Sequence, residues 1–305
     1  MARVLNLKSI AMKRYFSLVK FAHTIFAMPF ALMAFVYAFK VHPEIEFSWV
    51  LLLQVVLCMV FARNVAMGFN RWADRDIDKE NPRTADREIP SGKISPRKAM
   101  IFIVINAVLF IATAATINIA TTATINWLTL ALSPVALAVV MFYSYCKRFT
   151  ALAHIVLGIS LALAPMGAYI AVTETLSWPI CLLSLLVMTW CGGFDIIYAL
   201  QDAEFDRKRG LHSIPSKFSV ATSLYISIAL HCVSVAALVA FAWMLPQQSW
   251  LLWTGVGLFS AILVAEHILV TPTKQRSIGI AFGTLNGLAS LTLAAFVIAN
   301  LLIYA

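Results

Sequence analysis

Apolar residues run along this chain in nine blocks of spanning length, near positions 16–39, 47–69, 98–118, 125–145, 151–173, 179–200, 219–243, 250–271 and 279–303. Each block holds about 20 mostly apolar residues, enough to cross a bilayer as a helix. None shows the period-2 alternation of an outer-membrane barrel strand. The pattern predicts an all-α membrane bundle of nine transmembrane helices, one domain over residues 1–305. Pro29, Pro134 and Pro165 fall inside blocks, where neighbouring helices can satisfy the backbone groups that proline frees. The first block reads as a span and not a cleaved leader, since it is long and has no small-x-small cleavage site.

Composition agrees with the pattern: 61% of residues are hydrophobic and 12% charged, against roughly 45–50% and about 25% in soluble domains. A secreted disulfide scaffold, a disordered chain and a conventional soluble enzyme are excluded. The five cysteines are dispersed without a CxxC pair, which reads as packed thiols. The net charge of +9 is no sign of nucleic-acid binding, because its placement follows the spans. Twenty of the 23 Lys and Arg lie before the first block or in alternate loops. The opposite loops hold Lys40 as their one base, beside Glu44, Glu46 and Glu174. The positive-inside rule then predicts a cytoplasmic N-terminus, an outer C-terminus and basic loops facing anionic headgroups.

Ten of the 14 acidic residues sit in two short stretches, each at the cytoplasmic end of a block. In the first, Asn70, Asp74 and Asp78 recur every four residues; in the second, Tyr198, Asp202 and Asp206 do the same. Residues four apart share a helix face, so each set aims two carboxylates one way. Asp195 lies further in on roughly that face. Every pair is offset by 128 positions, and Arg148 maps onto Arg276 by the same shift. The chain therefore reads as two four-helix repeats plus a ninth helix around a central cavity.

Four facing carboxylates repel one another unless a cation neutralises them. Hard oxygen ligands suit Mg²⁺, which commonly binds one or two carboxylates together with substrate phosphates. Lys20, Arg63, Arg83, Arg87, Lys147, Arg148 and Lys217 supply the anion-binding half, and Lys20 and Arg63 fall inside blocks, where an ionisable group marks function. The combination points to a lipid diphosphate site. Asp76, Glu80, Asp86, Glu88 and Glu204 fall off the four-residue register and read as solvated interfacial charge. His23 is the functional candidate among the histidines, while His154, His212, His231 and His267 read as helix-packing groups. Gly279, Gly283 and Gly287 predict a close helix contact, and Asn286 a hydrogen bond across the bundle.

These residues resemble the UbiA superfamily of intramembrane aromatic prenyltransferases. The first stretch matches the family's NxxxDxxxD motif and its downstream NPRT…R.IPSG loop. The second matches the YxxxDxxxD variant of the second motif, and Lys147-Arg148-Phe-Thr150 with Leu157-Gly158 and Pro165 matches its KR.T…LG…P segment. The resemblance spans nearly the whole chain. It is nearest to bacterial 4-hydroxybenzoate polyprenyltransferases, although the second motif lacks their more acidic run.

The resemblance implies Mg²⁺-dependent transfer of a polyprenyl group from an allylic polyprenyl diphosphate to an aromatic ring in quinone biosynthesis, at the cytoplasmic face of a bacterial inner membrane. The acceptor implied is 4-hydroxybenzoate; 1,4-dihydroxy-6-naphthoate or another aromatic acceptor in menaquinone biosynthesis is the alternative. Asp74, Asp78, Asp202 and Asp206 would hold the metal. Asn70, Tyr198, Lys20, Arg63, Arg83, Arg87, Lys147 and Arg148 would bind substrate, and Asp195 would orient or deprotonate the acceptor hydroxyl. A cation-coupled transporter is the rival from another class, and it predicts acidic residues and broken helices near the midplane.

Overall fold

The structure is a computed structural model that describes residues 14–15, 17–19, 26–119 and 123–304. Nine long helices among the described residues carry the fold: α1 (Met28–Val41), α2 (Trp49–Ala73), α3 (Pro96–Thr116), α4 (Trp127–Cys146), α5 (Ala153–Thr173), α6 (Trp178–Ala199), α7 (Val220–Trp243), α8 (Trp250–Leu269) and α9 (Asn286–Tyr304). Among the described residues the one β-type pairing is an isolated bridge between Thr271 and Lys274. Eight helices among the described residues are long and apolar enough to cross a membrane, and α1 is a shorter apolar helix of 14 residues. The nine-span expectation is corrected at this first block, part of which lies outside the described residues. Pro29 stands in the first turn of α1 and not inside a span, since a missing N–H costs nothing there.

Local sequence sets the helix starts. The side chains of Ser48, Ser95, Asn126 and Ser219 accept the backbone N–H of Leu51, Lys98, Thr129 and Thr222, satisfying amides that a first turn leaves orphaned. Trp49, Trp127, Trp178 and Trp250 open α2, α4, α6 and α8, and all four are exposed. Those helices run the same way, so their tryptophans form a belt at one membrane interface. Both acidic stretches lie at the other end.

Helix α6 packs between α5 and α7, and α1 lies across α5 and α9. The core there is aromatic: Phe30, Phe35, Tyr169, Trp190, Phe241 and Phe259 are fully buried. Close approach of α5 to α6 depends on Gly158, where a Cβ would stand 2.2 Å from the carbonyl oxygen of Met188. The expected contact at Gly279 and Gly283 is absent, for a Cβ at either would meet nothing within 4 Å. Their segment widens into a π-helical turn, Ala281–Leu285, ahead of α9, and faces a cavity and not a neighbouring helix.

Asn286 does bond across the bundle. It accepts the indole N–H of Trp190 at 2.8 Å and donates to Glu266 at 3.0 Å and to the Ala281 carbonyl at 3.0 Å.

Candidate active site

Each acidic stretch continues a spanning helix through a break at its first aspartate. Asp74 ends α2 and starts the short helix Arg75–Glu80. Asp202 ends a 3-10 turn after α6 and starts the helix Ala203–Arg209. The same break in both stretches matches the 128-residue offset. The helical path continues past each junction, with Asp78 N–H bonded to the Asp74 carbonyl at 2.7 Å and Ala203 in the right-handed helical region.

The two stretches meet over a cavity of about 710 Å³. It is lined by Arg63, Asn70, Asp74, Asp78, Arg83, Arg87, Lys147, Asp195, Tyr198, Asp202 and Asp206, all anticipated from sequence. Arg148 lies beside it, with Nη2 3.5 Å from Asp74 Oδ1 and a 2.6 Å bond to the Ala73 carbonyl. Lys20 and His23 lie outside the described residues.

Every motif carboxylate is held by a neighbour. Lys147 Nζ stands 2.7 Å from Asp74 Oδ2, which also accepts from Asn70 at 3.2 Å. Arg87 Nη1 bonds both oxygens of Asp78 at 2.7 and 2.8 Å. Arg83 bonds both oxygens of Asp202 and donates to the Tyr198 hydroxyl at 2.9 Å. Asp206 accepts from Ser213 at 3.0 Å. Burial alone would lower the Arg83 guanidinium; its bonds to Asp202 and its place beside Tyr198 outweigh that and raise it. Burial pushes the Asp74 carboxyl above the usual range, and Lys147 opposes it only in part.

Asp195 lines the cavity and is bonded to the neighbouring helix as well: its Oδ2 is 2.7 Å from His154 Nδ1. His154 Nε2 takes the backbone N–H of Ile214 at 3.3 Å, so the ring proton belongs on Nδ1, donated to Asp195. Sequence reading gave His154 a packing role because a lone histidine carries no spacing signal; the structure puts it and His212 on the cavity wall. Arg71, off the register of Asn70 and Asp74, carries no spacing signal either. It lines the cavity while only 4% exposed.

Asp76, Glu80 and Glu204 pair with Arg75, Arg209 and Lys208 on the exposed surface, as expected. Asp86 and Glu88 depart from the solvated reading, for both line the cavity: the loop after α2 folds back across the opening and carries them with it.

An apolar pocket of about 200 Å³ lies between α2, α3, α4 and α5. It shares Arg63, Met67, Tyr143, Leu157 and Leu161 with the charged cavity, so the two spaces adjoin. A wall of Phe194, Phe282 and Tyr198 closes the opposite side, with Phe282 stacked on Tyr198 at 4.1 Å. The arrangement can hold an amphiphile, with an anionic head among the bases and an apolar tail in the bundle.

Among the described residues no three His, Cys, Asp or Glu side chains converge as a ready-made metal cluster. The donor set nonetheless fits Mg²⁺, which needs only one or two carboxylates beside substrate phosphates. Asp74 Oδ1 is buried and has no hydrogen-bond partner, which leaves a hard oxygen available to a cation.

Comparison with known proteins agrees with this geometry. The model of the UbiA prenyltransferase family matches residues 27–291. A 4-hydroxybenzoate octaprenyltransferase of Actinobacillus pleuropneumoniae is 30% identical over 221 residues, covering 72% of this chain and 71% of that protein. One from Yersinia enterocolitica is 32% identical over 226 residues, covering 74% and 73%. The apo structure of a UbiA homologue from Aeropyrum pernix superposes with a TM-score of 0.74 at 27% identity, covering 92% of this chain and 97% of that one. A UbiA homologue from Archaeoglobus fulgidus, bound to GPP and Mg²⁺, shares the fold with a TM-score of 0.69 at 19% identity, covering 95% and 100%.

Proposed function

The chain belongs to the UbiA prenyltransferase family, and from that membership we propose that it transfers a polyprenyl group from an allylic polyprenyl diphosphate to a ring carbon of 4-hydroxybenzoate. The observation that carries this reading is the adjacency of the two cavities: carboxylates and bases ring one, and an apolar pocket adjoins it between the spanning helices.

The polyprenyl tail lies in the apolar pocket, and the diphosphate sits among Arg83, Arg87, Lys147 and Arg148, with Asn70 and Tyr198 as polar contacts. Asp74, Asp78, Asp202 and Asp206 would hold Mg²⁺, which when bound supplies charge neutralisation to the departing diphosphate. The same bases stabilise that developing charge from fixed positions, where no reorganisation is needed as the allylic carbon–oxygen bond breaks. The ring carbon beside the acceptor hydroxyl attacks the allylic cation and then gives up its own proton, which restores the aromatic ring. Asp195, with one oxygen fixed by His154, orients or deprotonates that hydroxyl. The apolar walls keep water from capturing the cation.

On this reading the reaction occurs at the cytoplasmic face of a bacterial inner membrane, with the N-terminus inside; the clustering of basic loops at the motif end of the bundle supports it. The tryptophan belt at the far end supports the same depth.

The test is prenyl transfer in membranes with Mg²⁺, a labelled allylic diphosphate and a panel of aromatic acceptors. Labelled product with 4-hydroxybenzoate that disappears in Asp74→Ala and Asp202→Ala is the expected result. No product with any acceptor, or full activity in either variant, overturns the reading; product with 1,4-dihydroxy-6-naphthoate alone reassigns the acceptor.

A further inference from the structure

We propose that Ile117 is a specificity-determining residue that closes the apolar pocket and limits the length of prenyl chain the protein takes; this deepens the prenyl-transfer reading and rests on it. The pocket begins beside the charged cavity at Arg63, Tyr143 and Leu157. It then follows α4 back from Tyr143 to Thr129, fourteen residues or about 21 Å at the helical rise. Its far end is lined by Ile117, Thr129, Ile170 and Ala171, where α3 ends, α4 begins and α5 ends.

Side-chain bonds between elements hold that end shut. Asn126, with no exposed surface, donates to the carbonyls of Ile170 at 3.0 Å and Ala171 at 3.4 Å. It also accepts the backbone N–H of Thr129 at 2.9 Å, so one side chain fixes three of the four residues at the floor. Gln54 of α2 donates to the Thr116 carbonyl at 2.8 Å and hydroxyl at 3.1 Å, and Asn118 donates to Glu174 at 2.8 Å. Ile117 stands between those two tied residues and is 1% exposed. Its branched side chain is stiff at χ1.

A fixed floor discriminates by fit. In a bilayer a prenyl tail gains little by moving from lipid into an apolar pocket, because lipid chains are equally apolar. A tail that ends short of Ile117 leaves the floor without contacts. One that overruns it must push closely packed side chains out of place. Ala114, one turn back along α3, lines the same pocket and is 2% exposed, so added bulk there shortens the space.

The ligand class is an allylic diphosphate whose tail matches the depth of the pocket. Each isoprene unit adds a branched five-carbon segment, so misfit arises in steps along a donor series. The way round the limit is sideways. Leu132 lines the pocket and is 40% exposed, and a tail leaving for lipid would pass it.

The test compares the full chain with Ile117→Ala, Ile117→Val and Ala114→Leu in lipid nanodiscs. Geranyl, farnesyl, geranylgeranyl and octaprenyl diphosphates compete in pairs for one acceptor. The parent chain should show a break with increasing length: relative kcat/KM falls on the order of 10-fold between two neighbouring donors, the size expected of overpacking. Ile117→Ala should move the break toward longer donors and Ala114→Leu toward shorter ones. Ile117→Val should soften it in the direction of Ile117→Ala, and it carries the test if the larger deletion fails to fold. Thermal stabilisation by each donor with Mg²⁺ and no acceptor should show the same break without turnover. A parent series without a break, or a break that stays in place in all three variants, overturns the proposal. So does a break moved by Leu132→Trp alone, which would send the tail into lipid past α4. Stabilisation that breaks with length and shifts with Ile117 and Ala114, while no acceptor yields product, upholds the closed pocket end and sinks the prenyl-transfer reading separately.

Discussion

Arg83 and Asp202 clasp the two acidic stretches together across 119 positions of sequence. Arg83 Nε bonds Asp202 Oδ1 at 2.8 Å, and Nη2 engages Oδ2. The same guanidinium lies 5.3 Å over the Tyr198 ring. Glu80 and Arg209 add a second link at 2.6 Å. The loop after α2 is thereby tied to the end of α6, and the cavity opening is framed by ion pairs.

This clasp places a guanidinium where a divalent cation would bind, so the two compete for one carboxylate. Arg83→Met is expected to raise substrate-free Mg²⁺ affinity several-fold while lowering kcat/KM for the prenyl diphosphate by about 10- to 100-fold, through loss of a charge-assisted contact. Titration calorimetry with Mg²⁺ alone and steady-state kinetics measure the two effects. Unchanged or weaker Mg²⁺ binding would show that Asp202 is not a shared ligand.

Asp74 gives the site an acid-side signature. Burial raises its carboxyl above the ordinary aspartate value of 3.8; Lys147 and Arg148 pull it down, and repulsion from Asp78 adds to the rise. The folded protein therefore binds this proton more tightly than the unfolded chain does. By linkage, the contribution to stability is fully present below 3.8 and is lost as pH rises through the raised folded value. Without Mg²⁺, the melting temperature of the parent chain should gain relative to Asp74→Asn as pH falls through that window. Parallel melting profiles for the two proteins would refute this.

The dyad on the cavity wall separates a positioning role from a binding one. His154 holds Asp195 through Nδ1 while Ile214 fixes its other nitrogen. Asp195→Asn should lower kcat by about 10²- to 10⁴-fold, the range for loss of a general base. His154→Ala should lower it less and leave the donor KM unmoved. Equal losses in kcat/KM for donor and acceptor would indicate a collapsed site instead.

Much of this site was legible because helix periodicity is local. Asn70, Asp74 and Asp78 announce a shared face by spacing alone, and the 128-residue offset repeats it in Tyr198, Asp202 and Asp206. Partners were not legible, since Lys147 reaches Asp74 and Arg83 reaches Asp202 through tertiary folding. His154 and Arg71 had no periodic signal; burial and hydrogen bonding distinguish them, and neither is written in spacing. Gly279 and Gly283 misled because glycines every four residues suit a tight helix contact and a widened π turn equally well.

The contact between α5 and α6 has no room at Gly158. An added Cβ would lie 2.2 Å from the Met188 carbonyl oxygen, a backbone atom that cannot swing aside. Gly158→Ala should lower stability by about 1–3 kcal/mol, as overpacking does. Thermal unfolding in detergent measures it, and an unshifted midpoint would mean the two helices separate at little cost.

The network around Asn286 offers a sharper test, because its members can be removed singly or together. Trp190 and Glu266 both depend on the Asn286 amide, and both are fully buried. Glu266 Oε2 already lacks a hydrogen-bond partner. Asn286→Leu strands the indole N–H and the other Glu266 oxygen, and each stranded buried group costs about 1–3 kcal/mol. Glu266→Leu alone frees only one amide hydrogen, since Asn286 keeps Trp190 and the Ala281 carbonyl. The double variant should therefore be more stable than the two single losses added together, by about 0.5–3 kcal/mol. The π turn that carries Phe282 depends on the same amide, so Asn286→Leu should also weaken donor binding while Glu266→Leu leaves it intact. Strict additivity in unfolding, with equal donor KM in both single variants, would show that Asn286 fills space there and does not order the cavity wall.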